Sequence, residues 1–157
     1  MAGTTGTARL LVAAPAAQVW ERIADVTALA RWSPENTAAT WLDGATGPAV
    51  GARFRGSNKR GWARWSTTCT VTESVPGQVF AFDVGKRPDT RWRYELHPAA
   101  GGVEVVESYA LHHAVRVPER VVTWLTTGVW RREDDLVDGM NRTLAALKAD
   151  LEGVSAG

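Results

Sequence analysis

Glu107 is the side chain with the most chemical potential in these 157 residues. It lies in the run Val103 to Ala110, which alternates as a strand does. If that strand turns Val103, Val105 and Tyr109 inward, Glu107 goes with them. A carboxylate out of water must be paired or hold its proton to unusually high pH, and such a group suits general acid–base work on an enolisable ketone. The opposite register buries Val106, Ser108 and Ala110 and leaves Glu107 in solvent. A buried Glu107 could also serve a structural hydrogen-bond network, with an arginine for instance. Tyr109 and Asn58 can each donate and accept a hydrogen bond, so both are candidate ligand contacts, and Tyr109 is a second candidate for proton transfer. Asn58 could instead shape the hairpin that leads to Gly61.

Other chemistries find less support. A metal needs three or four converging ligands, whereas His97, His112 and His113 lie at or beyond strand ends, and neighbours such as His112 and His113 point apart on an extended chain. No metal and no cofactor is expected. The glycines from Gly51 to Gly61 lack the strand-to-helix context of a phosphate loop or dinucleotide fingerprint, and no nucleophile elbow is present. The single cysteine, Cys69, forms no internal disulfide, reads as a small half-buried strand residue, and fits a reducing cytoplasm. Arg53, Arg55, Lys59, Arg60 and Arg64, interleaved with Trp62 and Trp65, form a basic cluster, but a solvated outer sheet face looks the same. Asp83, Asp89, Glu95 and Glu73 are expected to neutralise part of it. With a net charge of +1, nucleic acid is not an expected partner. The N-terminus lacks signal-peptide character and no apolar run reaches transmembrane length, so a cytoplasmic protein without stable membrane insertion is expected.

The elements that must position these residues follow from periodicity. Ala8 to Ala13 reads as a strand. A helix over 16–24 follows, with Pro15 suited to its first position and Val19, Trp20 and Ile23 on its apolar face. Asp25 can cap a second short helix that Ser33-Pro34 stops. Six strand-like runs come next: 38–42, 52–58, 62–73, 79–84, 90–96 and 103–110, with turn chemistry between them. Pro118 opens another helical stretch. From Arg131 to Glu152, Leu136, Met140, Leu144, Leu147 and Leu151 recur at three- and four-residue steps, marking one long amphipathic helix.

One apolar stripe facing one antiparallel sheet predicts an α+β fold in which a curved sheet grips a helix. Alternation places Trp41, Phe54, Asn58, Trp65, Thr67, Phe82, Trp92, Tyr94, Val105, Glu107 and Tyr109 on the inner face. Leu136, Met140 and Leu144 oppose them from the helix. A wall of this kind, mostly apolar with a few polar points, is what small-molecule pockets use; the same side chains could also simply fill a core. Eight tryptophans suit either outcome, being bulky and apolar with one donor each. Residues 8–152 are expected to form one domain, with 1–7 and 153–157 frayed.

The opening Ala13-Ala14-Pro15-Ala16-Ala17-Gln18-Val19-Trp20, with Asp25 and Trp32 downstream, resembles the helix-grip fold of the SRPBCC (START/Bet v 1-like) superfamily. Trp32-Ser33-Pro34-Glu35, Trp41-Leu42-Asp43-Gly44, Gly51-Ala52-Arg53-Phe54, Gly56-Ser57-Asn58 and Gly139-Met140-Asn141-Arg142-Thr143-Leu144 are similar to its polyketide cyclase/dehydrase-like branch. The resemblance covers about residues 8–152. It implies a seven-stranded curved antiparallel sheet around a long C-terminal helix, with two short helices between the first two strands. It further implies binding of a hydrophobic small molecule (polyketide, lipid, sterol or aromatic) between sheet and helix. The alternative it implies is a cofactor-free cyclase, aromatase or dehydratase using the same cavity. Oligomeric state is not readable from these residues.

Overall fold

The computed structural model describes residues 5–85, 90–111 and 132–155. The helical stretch expected from Pro118 lies outside these residues, as do Asp89, His112 and His113. The chain runs β1 (Thr5–Val12), α1 (Ala16–Ala24), a 3-10 helix (Val26–Arg31), β2 (Asn36–Trp41), β3 (Arg53–Arg60), β4 (Ala63–Val75), β5 (Val79–Val84), β6 (Thr90–Ala99), β7 (Gly102–Leu111) and α2 (Arg132–Ser155). The strands form one seven-stranded sheet in the order β1-β7-β6-β5-β4-β3-β2, antiparallel at every step. This is the α+β helix-grip architecture expected above.

Local chemistry explains the elements. Pro15 stands at the N-cap of α1, one place before the position expected for it, and its carbonyl accepts from the Val19 N–H at 3.1 Å. Asp25 caps the 3-10 helix by accepting from the Thr27 N–H at 3.1 Å. β1 begins three residues before the expected Ala8, with Thr5, Gly6 and Thr7 paired to Ala110, Tyr109 and Ser108. The close approach of β1 to Tyr109 requires a glycine, since a Cβ at Gly6 would run into the tyrosine ring.

The core lies where α1 and the C-terminal half of α2 meet β1, β5, β6 and β7. Val12, Val19, Phe80, Val103, Val105, Leu144, Leu147 and Leu151 are buried there. Polar contacts fix this half of α2: Lys148 Nζ donates to the Leu11 carbonyl at 2.9 Å, Glu152 accepts from the Ala13 N–H at 2.9 Å, and Arg22 pairs with Asp150 at 3.1 Å.

Two β-bulges bend the sheet. Thr37 is an additional residue in β2 against β3, and Thr72 is one in β4 against β5. Each bulge shifts the alternation of its strand by one residue.

On the outer face, Arg91 pairs with Asp83 at 2.7 Å, and Arg93 with Glu73 at 2.8 Å and with Glu95. The expected neutralisation of the basic cluster is therefore different in detail. Asp83, Glu73 and Glu95 serve β6 arginines, while Arg53 pairs with Asp43 at 2.9 Å and Arg60 with Glu35 at 3.8 Å. Asp43 and Glu35 lie beside β3, whereas the three expected acids lie on β4, β5 and β6 next to Arg91 and Arg93. Among the described residues no helix is long and apolar enough to cross a membrane.

Candidate functional site

Where the N-terminal half of α2 faces the sheet, the layers do not close. A cavity of about 460 Å³ lies between them. Phe54, Phe82 and Trp92 give the sheet side its apolar floor, with Trp65 further along β4. Leu136 and Met140 face them from α2. Phe54 and Phe82 meet edge to face with ring centres 5.1 Å apart, a geometry aromatic pairs favour. Exposed or half-exposed charged residues, Glu35, Lys59, Arg60, Asp138 and Arg142, form the rim. The rim is braced where the Lys59 N–H donates to the Glu35 carbonyl at 2.8 Å.

Glu107 takes the inward register. It pairs across the ladder with Tyr94, is 3% exposed and lines the cavity. The Tyr94 hydroxyl donates to Glu107 Oε1 at 2.9 Å, and Oε2 has no partner among the described residues. Burial pushes the Glu107 carboxyl up to about 8, against a smaller downward pull from the Tyr94 hydrogen bond. The Tyr94 phenol is driven well above its ordinary value, first by burial and then by the neighbouring carboxyl. At neutral pH the pair is thus a neutral acid and a neutral phenol. No arginine satisfies Glu107 among the described residues, so the ionic version of the structural network does not form there.

A second polar group stands on the other side of the cavity. Asn36 opens β2 directly opposite Asn58 on β3, and Asn36 Nδ2 donates to Asn58 Oδ1 at 3.4 Å. Asn36 is 8% exposed, and its Oδ1 is buried without a partner among the described residues. Gly56 makes room for the amide: a Cβ there would stand 3.2 Å from Asn36 Nδ2 and 3.5 Å from Thr67 Oγ1. Thr67 and Cys69 line the same wall, where burial raises the Cys69 thiol to about 11, so it is an inert, protonated wall element.

Of the residues singled out in the sequence, the structure brings Phe54, Asn58, Trp65, Phe82, Trp92, Tyr94, Glu107, Leu136 and Met140 together around this cavity. Trp41, Tyr109 and Leu144 lie elsewhere, as does Val105, which is buried in the core. Trp41 packs edge-on against Phe54, ring centres 5.7 Å apart, and borders a separate hollow of about 210 Å³ beside Trp20 and Pro48. Tyr109 is 2% exposed, lies against Trp92 and over Gly6, and sits behind the lining. Leu144 is 1% exposed and belongs to the core, one turn beyond Met140. Strand alternation fixes the face on which a side chain points but not how far along that face the open space extends.

Asn36 was not among the expected site residues. The bulge at Thr37 puts Asn36 on the same face as Ala39 and Trp41 despite its different parity, so period-two counting does not find it. The available signal was indirect: an inward Asn58 needs a neighbour across the ladder.

Residues 4–152 match a family profile described as polyketide cyclase / dehydrase and lipid transport. No curated protein matches the chain. Among solved structures, the polyketide-cyclase-like protein Cgl2372 from Corynebacterium glutamicum is 27% identical with a TM-score of 0.64, over 94% of this chain and 91% of that one. StfQ, a di-domain ARO/CYC protein of the steffimycin biosynthetic pathway, is 13% identical with a TM-score of 0.76, over 99% of this chain and 53% of its own. BexL, the di-domain ARO/CYC protein of the BE-7585A pathway, is 20% identical with a TM-score of 0.65, over 98% of this chain and 48% of its own. The likeness to StfQ and BexL is one of fold.

Proposed function

This chain belongs to the polyketide cyclase/dehydrase and lipid-transport family, and on that premise we propose that it binds a hydrophobic, partly oxygenated small molecule between the sheet and the N-terminal half of α2. The observation that carries this reading is the cavity of about 460 Å³, floored by aromatic rings and facing the adaptable Met140. Polyketides, lipids, sterols and aromatics share the required chemistry. Burying roughly 200–300 Å² of apolar ligand surface contributes on the order of 5–8 kcal/mol before the losses of association. A single buried cysteine suits function in the cytoplasm.

Native mass spectrometry of the purified protein, with identification of whatever denaturation releases, tests the reading. A stoichiometric hydrophobic passenger is expected. A clean apo mass, with no thermal shift across lipids and aromatics, overturns it.

The Tyr94–Glu107 pair favours a second reading, a cyclase, aromatase or dehydratase of the kind named for the ARO/CYC neighbours. A carboxyl whose proton is held to about pH 8 can protonate a ligand carbonyl oxygen, and once ionised it can take up a proton from carbon. The floor and helix would hold the chain folded for ring closure. Absence of turnover of the released compound by the wild-type protein would remove this reading and leave the binding one intact, and turnover that survives Glu107→Gln unchanged would take Glu107 out of the chemistry.

A further inference from the structure

Two buried polar atoms of this cavity, on opposite sides of it, have no partner among the described residues: Asn36 Oδ1 and Glu107 Oε2. Buried polar groups are nearly always satisfied, and an orphan is costly. Two in one cavity indicate what the bound molecule must supply.

The hydrogen-bond sense of the two ends differs. At the Asn36 end, Asn36 Oδ1 is an acceptor without a donor. Asn58 Oδ1 is occupied by Asn36 Nδ2, which leaves the Asn58 NH₂ to donate. Thr67 accepts from the Cys69 thiol at 4.0 Å, so its own proton is also free to donate. An acceptor beside donors is the environment of a hydroxyl, which gives one hydrogen bond and receives others. At the Glu107 end, the Tyr94 proton already goes to Oε1. The carboxyl proton, retained up to about pH 8, therefore sits on Oε2. That end offers a donor and asks for an acceptor, as a carbonyl oxygen is. The two ends stand on β2 and β7, five steps apart in the sheet order and about 24 Å along its curve.

We propose that the cavity is polarised and takes an elongated hydroxy-ketone, its hydroxyl at Asn36 and Asn58 and its carbonyl oxygen at Glu107 and Tyr94. This rests on the ligand-binding reading and adds to it a ligand class and an orientation. It also makes Asn36 a specificity determinant.

Each end can be probed separately with naphthalenes at pH 6.5, by tryptophan quenching and calorimetry. At the Asn36 end the pair is 2-naphthol and 2-methoxynaphthalene. A purely apolar cavity prefers the ether about fourfold for its additional methyl. The proposal predicts the reverse, 2-naphthol tighter by about tenfold, with the ether again ahead in Asn36→Leu. At the other end 2-acetylnaphthalene should outbind 2-ethylnaphthalene by about tenfold, a preference lost in Glu107→Leu and kept in Asn36→Leu. Wild-type protein that ranks each pair by hydrophobicity, or variants that leave the rankings unchanged, overturns the proposal. Should Asn36→Leu not fold, the wild-type ranking decides alone. Plain naphthalene separates the two claims. If it binds without any ranking, the cavity reading stands and polarisation falls; if none of the five compounds binds, both fall.

Discussion

The two halves of α2 continue one another in sequence but face different surroundings. The C-terminal half presents Leu144, Leu147 and Leu151, each at most 5% exposed, to α1 and the sheet, and it is fixed through Lys148, Asp150 and Glu152. The N-terminal half presents Leu136, Met140 and Thr143 to open space. Within it, Thr143 donates to the Gly139 carbonyl at 2.9 Å. The same leucine spacing thus serves as core at one end and as cavity wall at the other. What separates them is the opposing sheet. Valines and Phe80 fill the space near Val103 and Val105, whereas Gly56 and two amides occupy the wall near Asn36.

Substitutions should divide along this line. Leu147→Ala removes a fully buried side chain from a sealed region and should lower unfolding free energy by about 3–5 kcal/mol in denaturant titrations, with ligand affinity unchanged where the protein is folded. A loss below ~1 kcal/mol would mean that this half is not packed as described.

Glu107 tests the open side through pH. Its carboxyl pKa is raised in the folded protein to about 8 from an unfolded value of 4.5. The protonated form is therefore favoured by folding. Its stabilisation is complete below the unfolded value and is lost as pH climbs through that window to about 8. Wild-type stability should fall across it by on the order of 4–5 kcal/mol relative to Glu107→Gln, which cannot titrate. Parallel curves for the two proteins would contradict a buried, proton-holding Glu107.

Met140→Ala, on the cavity side, should cost about 1–2 kcal/mol, less than Leu147→Ala, because open space already adjoins Met140. It should change ligand affinity at least as much as it changes stability. Lys148→Ala gives the smallest effect, below about 1 kcal/mol and weaker in high salt, because its pairing with Glu152 is partly exposed.

Much of this comparison was legible before the structure. Strong periodicity marks α1 and α2, and clean alternation marks β5 and β6, since Trp92, Tyr94 and Leu96 are inward while Arg91, Arg93 and Glu95 meet water. The inward register of Glu107 was one of two readings, and periodicity alone does not choose between them because Val106 is also buried. β1's pairing with β7 settles it. Asn36 was hidden by the bulge at Thr37. The limits of the cavity were not legible at all, because they depend on the summed volume of side chains from six strands and a helix. For that reason Leu144 and Tyr109 share the inner face yet lie in packed core.

On the proposed reading, a small apolar molecule occupies the space between the sheet and the N-terminal half of α2. Titrating ¹⁵N-labelled protein with 2-acetylnaphthalene and following the amide shifts tests it most directly. Saturable shifts are expected at Phe54 to Asn58, Trp65 to Cys69, Phe82, Trp92 to Tyr94, Glu107 and Leu136 to Thr143, with Leu147 to Leu151 nearly silent. No saturable shifts, or shifts centred on the C-terminal half of α2 or the outer sheet face, would contradict it.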